Sequence, residues 1–318
     1  MVSGSILLYG TVGSTLNGLL TGSLYGLMAL GLTLIFRVTR IANFAYAEYI
    51  TYAGYAAFAA TAALAGGAGG AVLFAAGLLA AALVGAVASL LSDELAFKPL
   101  WHRGADPLTL LVASMGVAFV MRYSLLGLAV SANWPLQVQP MVGNPVLATI
   151  GGLSYISGAH VAAITAAVAT AAAMHLLFTR TKTGKAMRAT ASNPVLARIS
   201  GIDIYYIRRL TWLLAGAIGG LAGFLYSYYN PLNPETGWQV LLWIFAAAIM
   251  GGFTFYGALV SGIILGLAES LASFYLNTFF GIDTAYSPVI ALIALVLVLL
   301  FRPEGVIRLE AHMLRRRA

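Results

Sequence analysis

Long runs without charged residues are the feature that most constrains this chain. Residues 1–36 contain no Asp, Glu, Lys or Arg, and residues 49–92 form a second run of this kind. About 20 consecutive apolar residues suffice for a helix to cross a bilayer. A soluble domain of 318 residues could not bury a composition that is 61% hydrophobic and 8% charged. The sequence therefore predicts a polytopic membrane protein and excludes a soluble enzyme or a disordered regulator.

Charges, glycines and prolines divide the chain into about eight to nine hydrophobic segments, which predicts an all-α integral membrane helix bundle. The segments are 13–36, 43–64, 70–92, 107–130, 158–178, 210–229, 238–252, 255–277 and 286–301. Two pairs, 43–64 with 70–92 and 238–252 with 255–277, each fit either two full crossings or one re-entrant hairpin. The whole chain, 1–318, is expected to form a single transmembrane domain.

The distribution of basic residues predicts the orientation of the bundle. With the N-terminus outside and nine crossings, the predicted inner segments hold 16 of the 17 Lys and Arg, because Arg122 alone lies within a span. Such an excess is typical of cytoplasmic loops. A first group of spans, 13–178, then carries the outside loop 131–157. A cytoplasmic loop, 179–209, precedes the last group of spans, 210–301, and a basic cytoplasmic tail, 302–318, ends the chain.

The loop 179–209 contains clear start and stop signals for a short helix. Asn193 followed by Pro194 is a favourable helix start, and Gly201 is a favourable residue just past a helix end. Asp203 can cap the next helix. The pattern predicts a short helix along the inner membrane surface. Two interpretations stay open, a contact for a cytoplasmic partner and a basic loop that meets anionic lipid headgroups.

Three ionisable residues lie inside predicted spans, where such residues are costly and often functional. They are Glu48, Arg122 and Glu269. A structural salt bridge or an interfacial position would also explain them, and this is the interpretation given to Arg122. Tyrosines recur near Glu48 and could line a path or pack in the core. The candidate path residues are Asn43, Tyr46, Glu48, Tyr52 and Glu269.

Several catalytic motifs are missing from the sequence. No G-x-x-x-x-G-K-[ST] phosphate loop, H-E-x-x-H metal motif or G-x-S-x-G elbow occurs, and there is no cysteine. We therefore expect neither an enzyme nor a chain that binds its own cofactor or metal. Only two acids, Glu48 and Glu269, lie inside the spans, so the sequence gives little support for a self-powered transporter.

Two N-terminal motifs carry a family resemblance. The chain reads NGLLTGSLYGLMALGLTLIF from Asn17 and NFAYAE from Asn43. These runs resemble the membrane subunit of bacterial and archaeal ABC importers for branched-chain amino acids, in its LivH branch. Tyr46 and Ala47 stand where that family usually has His–Gly. If that pair contributes to substrate handling, the substrate differs.

Two later segments continue the resemblance. TGKAMRATASNPVLARISGID resembles the family's coupling segment, which docks into the ATPase subunit, and AAAIMGGFTFYGALVSGIILGLAESL resembles its C-terminal motif. LVLLFRPEGVI resembles the family's closing motif. The candidate coupling residues are Gly184, Lys185, Arg188, Asn193, Ala197, Arg198 and Gly201.

The resemblance implies the permease subunit of an ATP-driven importer in the cell membrane. Its expected partners are a second permease of the LivM type or a second copy of itself, two cytoplasmic ATPase subunits that bind ATP and Mg²⁺, and an external solute-binding protein. No nucleic acid is expected. A same-family permease for urea, an amide or a sugar, and a self-contained secondary transporter or channel, remain the alternatives.

Overall fold

The computed structural model describes residues 4–150 and 154–283 together with eight separate positions between 286 and 300. This part of the chain is dominated by helices. They are α1 (Gly4–Thr39), α2 (Tyr46–Leu64), α3 (Gly70–Ser92), α4 (Lys98–His102), α5 (Pro107–Ser131), α6 (Gly158–Arg180), α7 (Lys182–Ser192), α8 (Pro194–Ile199), α9 (Ile204–Tyr229), α10 (Thr236–Met250) and α11 (Phe255–Phe280). The predicted tail 302–318 lies outside the described residues, as do all but eight positions of the predicted span 286–301.

Six helical stretches of the described chain are long and apolar enough to cross a membrane. They are Leu7–Thr39, Gly70–His102, Pro107–Ser131, Gly158–Arg180, Ile204–Tyr229 and Phe255–Phe280. Helix α10 has only 15 residues, and α2 reaches 19 residues but is too polar to join the six, since it carries Glu48 and several tyrosines. The predicted polytopic helical protein is confirmed at this coarser level.

Residues 93–106, which the sequence analysis leaves as a connection between the predicted spans 70–92 and 107–130, are helical over most of their length. Helix α3 continues through a π-helical turn, Asp93–Phe97, into α4, so that one helical stretch runs from Gly70 to His102. The charges of Asp93 and Glu94 do not end the helix because both side chains find arginine partners on α9. The true break comes at Gly104, whose φ of +76° favours glycine.

The predicted loop 131–157 contains a small β-hairpin, which the all-α prediction did not include. Strands β1 (Val146–Ile150) and β2 (Ser154–Ser157) pair antiparallel, with a register irregularity between Val146 and Ala148. Pro135, Pro140 and Pro145 precede the hairpin, as expected for residues that cannot donate to a strand ladder. The other predicted segment ends mostly agree with the helices within a few residues.

The described chain divides into two compact units. The first contains residues up to Ala29, Asn144–Ala171 and those from Leu242 onward. Within it, α1 and α11 pack backbone to backbone. A Cβ on Gly22 would lie 2.7 Å from the Ile263 Cα, and one on Gly18 would lie 2.9 Å from the Gly266 carbonyl oxygen. The repeated small residues therefore form the close helix contact that such spacing predicts.

The second unit contains Leu30–Gly143 and Ala172–Leu241, and α9 lies against both α2 and α3 within it. On one side of α9, a Cβ on Gly85 would lie 2.9 Å from the Gly220 Cα. On the other side, Gly223 lies directly against the Ile50 carbonyl of α2. Gly220 thus packs against α3 and Gly223 against α2.

Candidate translocation and coupling sites

The connection between α1 and α2 is a buried, hydrogen-bonded corner centred on Asn43. The Asn43 side chain accepts a hydrogen bond from the Ala45 backbone N–H at 3.0 Å and donates to the Tyr49 hydroxyl at 3.2 Å. The next backbone N–H, that of Phe44, donates to Ser114 of α5 at 3.0 Å. Asn43 is completely buried, so its amide orders this corner in the observed conformation.

Tyr46 fills a space that two glycines provide. Its ring is fully buried, and its hydroxyl lies 3.4 Å from the Ala215 carbonyl oxygen. A Cβ on Gly31 would overlap the Tyr46 hydroxyl, and one on Gly219 would lie 3.0 Å from it. The residue that departs from the family's usual His is therefore tightly enclosed by α1 and α9. A larger side chain at this position would require α1 or α9 to move.

Glu48 and Arg122 form a buried ion pair across α2 and α5. The Arg122 Nη2 donates to the Glu48 Oε1 at 2.7 Å, and Glu48 is only 1% exposed. The second carboxylate oxygen, Oε2, and the Arg122 Nε have no hydrogen-bond partner among the described residues. The guanidinium also faces the Trp238 ring, with 4.9 Å from Cζ to the ring centroid. The pair is thus incompletely satisfied in a site where unpaired polar atoms are costly.

Tyr52 lies one turn beyond Glu48 at the wall of an open surface cavity of about 690 Å³. The rest of the lining comes from α3, α5 and their extensions, and it is almost entirely apolar, as Leu83, Val87 and Val120 illustrate. The Tyr52 hydroxyl hydrogen-bonds to Ser124 at 2.6 Å and to the Met121 carbonyl at 2.9 Å. Tyr52 therefore presents its ring to the cavity while its polar end is satisfied by α5.

Glu269 lies in the first unit and has a different environment. Its carboxylate accepts a hydrogen bond from the Tyr25 hydroxyl at 2.9 Å, and the Tyr25 ring stacks on Trp243 at 5.1 Å. The remaining four candidate path residues, Asn43, Tyr46, Glu48 and Tyr52, all belong to the second unit and to α2 or the corner before it. The structure therefore brings these four together along one helix.

The predicted short helix is present as α8. The start and stop signals at Asn193 and Gly201 and the cap of the next helix at Asp203 are all confirmed. The Asn193 side chain accepts from the backbone N–H groups of Val195 and Leu196 at 3.0 and 3.1 Å. Gly201 has a φ of +82°, and its N–H donates to the Arg198 carbonyl at 3.0 Å. This C-terminal geometry is a glycine-dependent helix stop. Asp203 then caps α9 through Tyr205 and Tyr206.

Helices α7 and α8 expose a mixed basic and apolar surface. Lys185 and Arg188 lie three residues apart on the exposed side of α7, and Arg198 is exposed on α8. Three apolar side chains of α8 are also exposed, namely Val195, Leu196 and Ile199. The other two candidates face inward, since Ala197 is 4% exposed and Gly184 packs against the end of α6. The buried contacts of Ala197 and Gly184 therefore anchor the segment, and the remaining side chains of α8 stay exposed.

A second buried ion pair was not predicted from the sequence. Arg208 of α9 binds Asp93 through Nε, at 3.0 Å to Oδ1 and 2.8 Å to Oδ2, and through Nη2 at 2.5 Å to Oδ1. Asp93 is completely buried and Arg208 is 7% exposed. The available signal was the placement of Asp93–Glu94 and Arg208–Arg209 at the same predicted end of two spans. Two acids and two bases at one membrane boundary are natural partners.

Comparison with known proteins identifies the class as a multi-pass membrane transport permease. A family profile described as "Branched-chain amino acid transport system / permease component" matches residues 14–299. The chain belongs to this family, and it is accordingly a transport subunit of the inner membrane rather than a catalytic enzyme.

Alignments with individual relatives cover most of the chain. The "Probable branched-chain amino acid transport permease protein LivH" of Methanocaldococcus jannaschii is 33% identical over 240 residues, which cover 73% of this chain and 74% of the relative. The "High-affinity branched-chain amino acid transport system permease protein LivH" of Escherichia coli is 29% identical over 296 residues, or 92% and 93%. The BraD permease protein of Pseudomonas aeruginosa is 28% identical over 300 residues, or 92% and 94%.

Proposed function

We propose that this chain is one half of the transmembrane core of an ATP-driven ABC importer for branched-chain or other hydrophobic amino acids. The family match along residues 14–299 carries the proposal. The chain forms the translocation path, and a separate ATPase subunit binds ATP and Mg²⁺ and hydrolyses the nucleotide. No cofactor is assigned to this chain.

The proposed topology has eight or nine membrane segments, the N-terminus outside and the C-terminus cytoplasmic. The distribution of Lys and Arg along the sequence supports it. The chain is then one transmembrane domain, in which 179–209 is the cytoplasmic coupling loop and 131–157 faces outside. A cysteine-free chain allows single cysteines to be added at 144 and 182 and labelled with an impermeant thiol reagent. Labelling of position 182 from outside would show that the orientation in the membrane is the reverse of the proposed one.

The proposed coupling element is the surface of α7 and α8. Closure of two ATPase subunits pushes on the exposed side chains of α8, and Gly184, Asn193 and Gly201 hold the helix in position. Lys185, Arg188 and Arg198 supply charge for the contact. The support is the confirmed cap and stop of α8 together with its three exposed apolar side chains. An exposed apolar group rimmed by charge is typical of a docking surface.

The proposed path follows α2. Glu48, with an unpaired carboxylate oxygen, supplies a polar group for a solute, and Tyr52 supplies an aromatic wall. Asn43 and Tyr46 shape the corner before them, and Glu269 is proposed separately as a path residue of the first unit. Arg122 is assigned a structural role, because it neutralises Glu48 at 2.7 Å.

The remaining partners follow from the family. A related LivM-type permease completes the core as a heterodimer, with a homodimer as the alternative. Two ATPase subunits bind from the cytoplasm. A solute-binding protein delivers the substrate to the region 131–157, where the short hairpin and the lack of Lys and Arg favour docking by shape and polar contacts.

Uptake by the complete complex in proteoliposomes tests this function. Radiolabelled leucine should accumulate only with ATP, the ATPase and the binding protein. Arg188→Glu and Gly201→Pro should abolish uptake while the protein still inserts, and Arg180→Glu, a reversal at an exposed arginine of the preceding helix, should retain it. Normal uptake by both coupling variants would refute the coupling assignment. Solute flux by the chain alone would favour an independent channel or secondary transporter.

One feature favours a second candidate substrate class. Tyr46–Ala47 replaces the His–Gly that LivH-like sequences usually carry, and Tyr46 is enclosed next to the proposed path. A small solute such as urea, an amide or a sugar is therefore the alternative. Competition of labelled leucine uptake by a panel of these solutes separates the two. Inhibition by a sugar or amide, with none by valine or isoleucine, would reassign the substrate.

A further inference from the structure

A second cavity of 450 Å³ lies in the second unit, apart from the Glu48–Arg122 pair. Its lining comes from the end of α1, the turn before α5, the junction of α7 with α8 and the start of α9. Several polar and aromatic side chains of the lining are suited to recognise a ligand. They are Arg40, Trp101, Thr190, Tyr205 and Arg208.

The charge of this cavity is basic. Arg40 and Arg208 line it, and no Asp or Glu does. Arg208 is already neutralised by Asp93, whereas Arg40 takes part in none of the ion pairs that the described residues form. Arg40 also has a φ of +59°, a conformation that is uncommon outside glycine and that places this exposed side chain directly after α1.

Thr190 adds an unsatisfied hydrogen-bonding group to the cavity wall. The residue is only 6% exposed, and its hydroxyl has no hydrogen-bond partner in the described chain. A buried hydroxyl without a partner costs free energy that a bound acceptor would recover. Arg40 therefore offers a cation to this space, and the unsatisfied Thr190 hydroxyl lies just behind its wall, a combination that suits an anion with several oxygens.

The aromatic residues indicate where that anion comes from. Trp101 and Tyr205 line the cavity near the ends of two membrane-spanning stretches, Gly70–His102 and Ile204–Tyr229. Such amphipathic rings favour the headgroup level of a bilayer. Basic pockets at the cytoplasmic ends of spans are suited to anionic lipid headgroups.

We propose that this cavity binds the phosphate group of an anionic phospholipid, with which the Arg40 guanidinium pairs. The proposal rests on the proposed function for its cytoplasmic orientation. Because Thr190, Ser192 and Pro194 all belong to the lining, the bound phosphate joins the end of α1 to the base of the coupling helix. Coupled transport then depends on anionic lipid at this site.

Calorimetric titration of the purified complex in neutral detergent tests the site directly. The probes are short-chain phosphatidylglycerol, short-chain phosphatidylcholine and inorganic phosphate. We expect the phosphatidylglycerol to bind and the zwitterionic lipid to bind at least tenfold more weakly. Arg40→Gln should weaken binding about tenfold or more, since it removes a charge-assisted hydrogen bond. Thr190→Val, which keeps the shape of the side chain, should weaken it less.

Arg180→Gln is the matched control, because it removes the same charge from an exposed residue that does not line the cavity. Its affinity should stay within twofold of the unaltered protein. Arg40-dependent binding of inorganic phosphate alone would support the phosphate site but assign it to a soluble ligand. Equal binding of both lipids, or equal effects of Arg40→Gln and Arg180→Gln, would overturn the proposal. None of these results depends on transport, so the proposed function stands or fails separately.

Discussion

Two buried ion pairs of the same unit differ in how completely they are satisfied. Asp93 and Arg208 share three hydrogen bonds, and both carboxylate oxygens of Asp93 accept. Glu48 and Arg122 share one hydrogen bond, and within the described part of the chain the Glu48 Oε2 and the Arg122 Nε have no hydrogen-bond partner. The Asp93–Arg208 pair is a fixed connection between helices. The Glu48–Arg122 pair still has a hydrogen-bond acceptor and a donor that another group can use.

The difference teaches that burial alone does not identify a functional charge. Asp93 is 0% exposed and Glu48 is 1% exposed, so exposure does not separate them. Hydrogen-bond satisfaction does, because a bidentate arginine fork meets the needs of a carboxylate whereas a single contact does not. We therefore expect the first pair to determine stability and the second to determine transport.

The largest effect on stability is expected from Asp93→Ala. This change leaves the Arg208 guanidinium buried without its counter-ion and should lower the free energy of unfolding by about 3–5 kcal/mol. Unfolding in mixed detergent and dodecyl sulfate micelles measures the loss. Asp93→Leu combined with Arg208→Leu should recover much of it, because no uncompensated charge remains. A loss from Asp93→Ala below about 1 kcal/mol, as for an exposed pair, would contradict the structural role.

Glu48→Gln should have a smaller effect on stability and a larger one on transport. The amide oxygen can still accept from Arg122, so the free energy of unfolding should fall by about 1–2 kcal/mol. Uptake of leucine by the complex should fall at least tenfold, because the free carboxylate oxygen is lost. The two quantities are measured on the same preparation. A stable Glu48→Gln variant with full uptake would show that Glu48 is a structural residue. The two ion pairs would then not differ in function.

Signals that act over a few residues made α8 predictable. Asn193, Gly201 and Asp203 each cap or stop a helix through backbone groups within three residues, and the structure has all three as the sequence predicts. The spans near 70–92 and 107–130 follow from apolar length alone. The partner of Glu48, by contrast, is 74 residues away, and only the packing of α2 on α5 selects Arg122.

The same reason explains the error at 93–106. Charged residues directly after an apolar run predict that the helix leaves the membrane, yet Asp93 and Glu94 are neutralised by arginines 115 residues further along the chain. Nor does the local sequence show that Gly220 faces α3 and Gly223 faces α2. Long-range neighbours depend on the arrangement of whole helices, which no local pattern specifies.

The aromatic rings beside the two arginines give a third, weaker comparison. Trp238 lies 4.9 Å from Arg122 and Trp101 lies 5.3 Å from Arg208, measured from Cζ to the ring centroid. Trp238→Leu should reduce the free energy of unfolding by about 1 kcal/mol, and Trp101→Leu by less, because Arg208 has a better anionic partner. Equilibrium unfolding of both variants decides the order. A larger loss at Trp101 would show that the Asp93–Arg208 pair needs its ring.

The smallest effect is expected at the exposed neighbour of the strong pair. Glu94 contacts Arg209 and Lys98, each at 2.5 Å, but the Arg209 side chain is 55% exposed. Glu94→Gln should therefore change stability little, and 1 M salt should remove the remaining difference because exposed charges are screened. The loss caused by Asp93→Ala should persist in salt, since that pair is shielded from solvent. The opposite result, in which salt abolishes the effect of Asp93→Ala but not that of Glu94→Gln, would show that water reaches the Asp93–Arg208 pair. That pair would then differ from the Glu48–Arg122 pair only in its hydrogen-bond geometry.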